Sequence, residues 1–528
     1  MRWFRFRPRR PQSEWDEVLG LPRGNLPLIL KSALVGVLAG GVISLYRYVV
    51  GWMEEFCLLG YAFLRAHLAF IPVALGLLVG VGLLVGWLAR RHTLIGGSGI
   101  PQVKGIIGGH IRSEGWFGTL WAKFVGGALS IGAGLSLGRE GPSIQLGACL
   151  GEGVGQRFAR TAAERKILIA GGASAGLAAA FNAPLAGVIF AFEEIFRYLS
   201  GPTLLATSVA AIAGDYVAML LFGSAPVFAF HLPQAFPSSA YWLLLLLGGA
   251  AGLAGAGYNK LLIALHRAWN AHFARAKAAK PVPMFVLALA VGLFFPLALC
   301  AGAEIIELDF LGTAAGFLLL TLGIKLLFSV ASFSSGAPGG IFYPLLVLGA
   351  LVGALFGQGA VRWAGVGEGY YDHFIALAMA GMFAAIVRAP ITGVVLITEM
   401  TGSFSNLLPL ALVSVVAYSV ADVLTPPVYD SLLDNLLKRR EDEAALVSGE
   451  RVTVDQIVHI GAPAEGKAVS ELGLPGHCLL LSIARERDKL MPHGGTIVRA
   501  QDKLTFLCDK EREGALREFL KGCFEGRG

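Results

Sequence analysis

Long hydrophobic runs fill the chain up to about residue 424, and glycines and prolines interrupt them. Apolar segments fall at roughly 27–50, 70–89, 117–135, 167–195, 203–222, 241–265, 282–303, 309–330, 345–364, 372–398 and 405–424. About 20 apolar residues let a helix cross a bilayer, so these segments predict a polytopic membrane protein. Their lengths are uneven, and several break at Gly or Pro where a clean span should continue. Irregular backbone at membrane depth is tolerated only where it is buried in protein or lines an aqueous cavity. Beyond the last apolar run the pattern changes. Residues 438–450 form a charged linker, and from 451 short runs (Val452 to Ile460, Leu479 to Ala484, Leu504 to Cys508) alternate with Gly/Pro/Asp turns, closing on an amphipathic helix at about 511–521. The predicted fold class is an all-α polytopic membrane protein with broken helices, followed by a small C-terminal soluble α+β domain.

The membrane portion repeats itself. Gly138-Arg-Glu-Gly-Pro142 through Leu146-Gly147-Ala148 aligns with Gly340-Ile-Phe-Tyr-Pro344 through Leu348-Gly349-Ala350, and Gly151 with Gly353. Further on, Ala183-Pro184 through Gly187-Val188 and Glu193 aligns with Ala389-Pro390 through Gly393-Val394 and Glu399. Two halves, about 30–225 and 240–430, therefore share a plan within a membrane domain spanning 27–437. If each half crosses an odd number of times, the repeats are inverted, and a ligand site is expected at their interface near the midplane.

Composition narrows the class. The chain has 528 residues, of which 55% are hydrophobic and only 15% charged; this excludes an ordinary soluble protein. The net charge of +7 is concentrated at Arg2, Arg5, Arg7, Arg9 and Arg10 and at Lys438, Arg439 and Arg440. Clusters flanking the spans read as topology rather than nucleic-acid binding, and they place both termini in the cytoplasm. Residues 1–26 form a basic tail facing the headgroups. The six cysteines show no CxxC spacing, so neither a zinc site nor a disulfide framework is expected.

Three segments read as helix starts that meet: Gly97-Ser98-Gly99-Ile100-Pro101, Gly138-Arg139-Glu140-Gly141-Pro142, and Gly339-Gly340-Ile341-Phe342-Tyr343-Pro344. Each offers backbone N–H groups to an anion, and Ser98 adds a hydroxyl. Neutral donors suit an ion that must be held and then released, such as chloride, with Arg139 and Lys123 raising the potential from nearby. Glu140 is a carboxylate at membrane depth, which is a functional-site hypothesis by default. Its repeat position is Phe342, so the helix start itself does not require it. Glu193 is mirrored by Glu399 and reads as structural, accepting hydrogen bonds from a neighbouring helix end. Glu194 is mirrored by Met400; it reads either as part of a proton route with Glu140 or as a span-end residue in the headgroup zone. Gly172-Ala-Ser174-Ala-Gly176 has the spacing of a hydrolase elbow, but it lies in a helical run with no nearby His, so an enzyme is not expected.

Together, GSGIP at 97–101, GREGP at 138–142, GGIFYP at 339–344 and Tyr429 after the last span resemble the CLC chloride channel and transporter family over about 30–435. The resemblance implies a multi-pass protein of a bacterial inner membrane, a homodimer with one pathway per chain. It implies a chloride site made by Ser98, Tyr429, Gly141 and the amides of Ile341 and Phe342. Glu140 would be the gating and proton-transfer glutamate, and Glu194 the internal proton glutamate of the exchanger branch. The implied activity is chloride/proton antiport; a passive voltage- or proton-gated chloride channel is the alternative, and Glu194 discriminates between them. Chloride, protons and lipid are the implied partners, with no cofactor. Ser98 argues against the nitrate-preferring members and, with Tyr429, against the fluoride branch. Tyr343 and the sequence Gln102-Val103-Lys104 depart from many bacterial members. Residues 451–528 resemble the C-terminal lobe of RCK/TrkA regulatory domains, through Gly466-Lys467, Leu472-Gly473-Leu474-Pro475, Pro492 and Asp502; the resemblance implies dimerisation, with either regulation by a small-molecule ligand or a purely structural cap on the dimer.

Overall fold

The computed structural model describes residues 26–113, 115–196, 200–228, 230, 232, 236–444, 451–485, 488–509 and 512–524. Residues 1–25 of the basic tail and 445–450 of the linker lie outside the described residues. The chain separates into two compact units, one from 1–104 with 114–432 and one from 105–113 with 433–528.

The membrane unit is helical. Its first half holds α1 (Leu26–Ala66), α2 (Ile71–Arg91), α3 (Ile100–Gly108), α4 (Trp116–Gly132), α5 (Glu140–Phe158), α6 (Ala162–Phe181), α7 (Pro184–Phe190), a π-helical turn (Ala191–Phe196) and α8 (Gly201–Phe222). The second holds α9 (Tyr241–His272), α10 (Val282–Phe294), α11 (Ala303–Ile306), α12 (Ala315–Ser334), α13 (Phe342–Ala364), α14 (Tyr371–Val387), α15 (Pro390–Thr401) and α16 (Leu407–Leu424). Then α17 (Val428–Ala444) begins. Among the described residues, eight helical stretches are long and apolar enough to cross a membrane. Of the eleven apolar runs, 117–135 and 282–303 hold helices of only 17 and 13 residues, α4 and α10. The runs 167–195 and 372–398 each break once, where Asn182 and Arg388 take positive φ of 52° and 68°. Pro184 and Pro390 then start a new helix, a position where the missing N–H costs nothing. Arg388 is held in that conformation by its guanidinium, which donates to the carbonyl oxygens of Ala385 and Ala421 and, at 2.7 Å, of Thr425.

Packing repeats as the sequence does. α5 packs on α6 as α13 does on α14, α6 on α8 as α14 on α16, and α1 on α8 as α9 on α16. Small residues permit this closeness. A Cβ at Gly151 would lie 2.2 Å from the Leu168 carbonyl oxygen, and one at the equivalent Gly353 would lie 2.4 Å from that of Phe374. Gly172 and Gly176 are also packing glycines against α5, so the elbow-like spacing serves a helix crossing, with Ser174 in the middle of α6.

The C-terminal unit contains an antiparallel sheet of β1 (Arg451–Ile457), β2 (Cys478–Arg485), β3 (Asp488–Leu490) and β4 (Lys503–Asp509) in the order β1-β4-β2-β3. α18 (Glu513–Phe524) buries Leu516, Leu520 and Phe524 with Val454, Ile483 and Phe506. Asp502 is an internal fastening: its carboxylate accepts from Arg485 Nε at 2.8 Å and Nη2 at 2.7 Å, and from the Arg499 amide at 2.8 Å. Burial pushes the Cys478 and Cys508 thiols above the ordinary cysteine range, which disfavours the reactive thiolate.

Candidate functional site

Backbone hydrogen bonds stitch the three glycine-rich segments together. Gly138 and Gly340 exchange two N–H to O bonds of 2.7 Å each, and Gly339 N donates to Gly97 O at 3.0 Å. Side chains would keep these strands apart. A Cβ on Gly141 would sit 2.9 Å from Ser98 Cβ and 3.1 Å from Gly340 Cα. The three helix starts converge for that reason. In α13 the first helical bond runs from Leu345 N to Ile341 O at 2.9 Å, which leaves the Ile341 and Phe342 amides ahead of the ladder. In α5 the first bond is Ser143 N to Arg139 O at 3.0 Å, so the Glu140 and Gly141 amides are ahead of it too. Ser98 Oγ accepts from Ile100 N at 3.3 Å, and its own O–H remains to donate.

Glu140 is buried, at 1% exposure, as the first residue of α5. The backbone amides of Glu140 and Tyr343 act on its carboxylate, and Arg139 Nε lies 3.9 Å from Oε1. Among the described residues its Oε2 has no hydrogen-bond partner, and it lies 2.4 Å from where a Gly138 Cβ would be. The carboxylate therefore occupies the position that a helix start offers to an anion. Tyr343 also lines a cavity of about 610 Å³, together with Phe228, Glu307, Asp309, Glu368 and Asp372.

Phe342 is buried, and its ring meets those of Phe383 at 4.6 Å, Phe190 at 5.6 Å and Phe181 at 5.9 Å. Tyr429 is buried in the first turn of α17, and its hydroxyl has no hydrogen-bond partner in the structure. The carboxylates of Glu194 and Glu140 both act on it electrostatically, so the structure gathers Ser98, Glu140, Gly141, Ile341, Phe342 and Tyr429 into one neighbourhood and sets Glu194 beside it.

The π-helical turn divides its two glutamates. Glu193 caps α15, accepting from Ile391 N at 3.1 Å and Thr392 N at 2.7 Å, while Glu399 caps α7 through Leu185 N at 3.0 Å and Ala186 N at 2.8 Å. This reciprocal exchange is the structural role expected from the repeat. Glu194 turns inward, fully buried, and accepts from Lys104 Nζ at 2.8 Å. It is not a span-end residue in headgroup water.

One cation differs from expectation. Lys123 is fully buried and donates to Ile95 O at 2.8 Å and Gly97 O at 2.6 Å, so it tethers the Ser98 loop rather than acting only through its field. Lys325 does the equivalent in the other half, donating to the carbonyls of Ala298 and Cys300 at 3.0 Å each. The sequence held the signal: these lysines are separated by the same displacement as Gly138 and Gly340. Lys104 and Asp430, which pair with each other, carried no such signal. Among the described residues no His/Cys/Asp/Glu group suits a metal ion.

Helix starts converging on a buried carboxylate, within two repeated halves, define a membrane ion-transport protein. Comparison with known proteins specifies which. Residues 81–422 match the family described as voltage gated chloride channel, and residues 457–521 match the TrkA-C domain. The chain belongs to this chloride channel family and carries a TrkA-C domain. It is 36% identical over 440 residues to the H(+)/Cl(-) exchange transporter ClcA of Salmonella paratyphi A, covering 80% of this chain and 91% of that one. To the ClcA of Cronobacter sakazakii it is 35% identical over 443 residues, covering 81% and 93%. Its fold is similar to that of a slow cyanobacterial Cl−/H+ antiporter, with a TM-score of 0.74, 27% identity and coverage of 79% and 99%. A eukaryotic CLC transporter gives 0.66, with 25% identity and coverage of 80% and 75%.

Proposed function

We infer that this protein is a secondary active antiporter that moves chloride across the membrane in exchange for protons. One observation carries the reading: the Glu140 carboxylate lies on helix-start amides, where chloride would otherwise be held. A carboxylate and a chloride compete for the same donors. Protonation removes the carboxylate's claim on the amides, so the side chain leaves and an anion takes its place; deprotonation reverses this. Proton and chloride thereby alternate at one position. In this reading Ser98 and Tyr429 donate hydroxyls to a central chloride, the amides of Ile341, Phe342 and Gly141 complete the site, and Glu194 passes protons between Glu140 and the cytoplasm. The buried Glu194 beside Lys104 favours exchange over a passive channel, which has no need of a second buried carboxylate. Curated relatives named as exchange transporters support the same choice.

The reading also includes a tail at 1–26, a transport domain at 27–437, a linker at 438–450 and a regulatory domain at 451–528. It further includes pairing of two chains and cytoplasmic termini. Ile212, Tyr216 and Leu220 form one exposed apolar stripe on α8 that supports burial against lipid or a second chain. In liposomes holding the purified protein, an imposed chloride gradient should drive protons against a pH gradient. Absence of uphill proton movement overturns the exchanger. Glu140→Ala should pass chloride and carry no protons; surviving coupling would remove Glu140 from its role.

A further inference from the structure

The ammonium of Lys104 touches two carboxylates on two different elements. Nζ donates to Glu194 Oε1 at 2.8 Å and pairs with Asp430 Oδ1. Lys104 belongs to α3, the helix that follows Ser98, and Asp430 is the residue after Tyr429 in the first turn of α17. One cation therefore ties together the three segments that present Ser98, Tyr429 and Glu194. Exposure grades along the group: the Asp430 side chain is 29% exposed, that of Lys104 10% and that of Glu194 0%.

We propose that Lys104 is the positioning residue of the inner proton step, held between Glu194 and Asp430 and shifted from the first to the second each time Glu194 takes up a proton. This rests on the exchange reading above. A buried carboxylate beside a partly buried ammonium is stable as the ionised pair, and removing one charge alone leaves the other uncompensated. When a proton from the cytoplasmic water binds Glu194, its carboxylate becomes a neutral carboxyl and loses its hold on Lys104. Asp430 is already in contact, so the ammonium keeps a counter-charge and does not have to cross into or out of water. When the proton moves on, Glu194 recovers its charge and draws Lys104 back. The same shift changes the pull on the first turn of α17, where Tyr429 sits, so proton uptake is felt at the chloride site. The described groups facing Glu194 are Lys104 on α3 and Asp430 and Tyr429 on α17. α7 carries no titratable residue. The charges of α6 lie in its first turn, where Lys31 holds Glu164 at 2.6 Å and Glu152 holds Arg165 at 2.5 Å.

The test compares wild type, Lys104→Met, Lys104→Arg and Asp430→Asn in liposomes, measuring chloride flux and proton flux on the same preparation. Uphill proton movement by wild type establishes exchange first, so failure of that reading is seen separately. Lys104→Met should then lower protons moved per chloride by about tenfold or more, the effect of losing one charge-assisted hydrogen bond. Lys104→Arg should restore most of the coupling, and Asp430→Asn should fall between. Wild-type coupling in Lys104→Met, or equal loss in Lys104→Arg and Lys104→Met, overturns the proposal. If Lys104→Met does not fold, Lys104→Gln is combined with Glu194→Gln, which removes both charges of the pair. Lys104→Gln should then add no further loss of chloride flux to that of Glu194→Gln alone. An additive loss overturns the proposal.

Discussion

Two helix starts occupy equivalent places in the two halves of the membrane unit, and they are finished differently. α5 and α13 both begin beside the Ser98 loop and are joined through Gly138 and Gly340. α5 opens with a buried carboxylate, one oxygen of which is unbonded, and α13 opens with a phenylalanine packed among three other rings. What is duplicated belongs to the scaffold: Gly151 and Gly353 at the helix crossings, Lys123 and Lys325 under the loops, Glu193 and Glu399 at the caps. In the proposed function, what is not duplicated belongs to transport. Glu140 faces Phe342 across the repeat, and Glu194 faces Met400.

That division can be broken by experiment. The strongest test puts a carboxylate where the scaffold holds a ring: Phe342→Glu would bury a charge among Phe181, Phe190 and Phe383. It should cost on the order of several kcal/mol, seen as loss of folded protein in detergent. Near-wild-type thermal stability would show that either helix start can host a carboxylate. Next, Lys123→Met and Lys325→Met each leave loop carbonyls without a donor, and each should lower stability by about 1–3 kcal/mol. Similar melting shifts support equivalence, whereas a large difference assigns Lys123 more than a tether.

A smaller effect is expected at the exchanged caps. Glu193→Gln and Glu399→Gln each weaken a charged acceptor at a helix N-terminus, so each should cost about 1 kcal/mol while uphill proton movement persists. Loss of coupling in Glu193→Gln alone would move that residue from scaffold to transport. The smallest effect is expected at Ser174, whose replacement by Ala should alter stability by less than about 0.5–1 kcal/mol and leave both fluxes in place. A collapse of transport there would contradict its reading as a residue of a helix crossing.

Much of the site was legible because its chemistry is local in sequence. A glycine on either side of Ser98 and of Glu140, a proline in the first turn, and free amides ahead of the first helical bond are properties of five or six consecutive residues. The repeat was equally legible, and with it the structural reading of Glu193. The number of helices was less so. Hydropathy registers how apolar a run is and is insensitive to one residue of positive φ, so Asn182 and Arg388 broke runs that read as continuous.

The sequence by itself determined that this chain is a membrane protein of two related halves followed by a small α+β domain. It also determined which carboxylates the repeat does not demand. Only the tertiary structure decided that Glu140 lies on the amides of two different helix starts, that Lys123 is a tether, and that Lys104 sits between Glu194 and Asp430. The physical reason is separation along the chain. Lys104 and Asp430 are 326 residues apart, and neither belongs to a duplicated motif that could signal the pairing. Their charges are stable at that depth because folding brings them together, a condition that no stretch of sequence expresses alone.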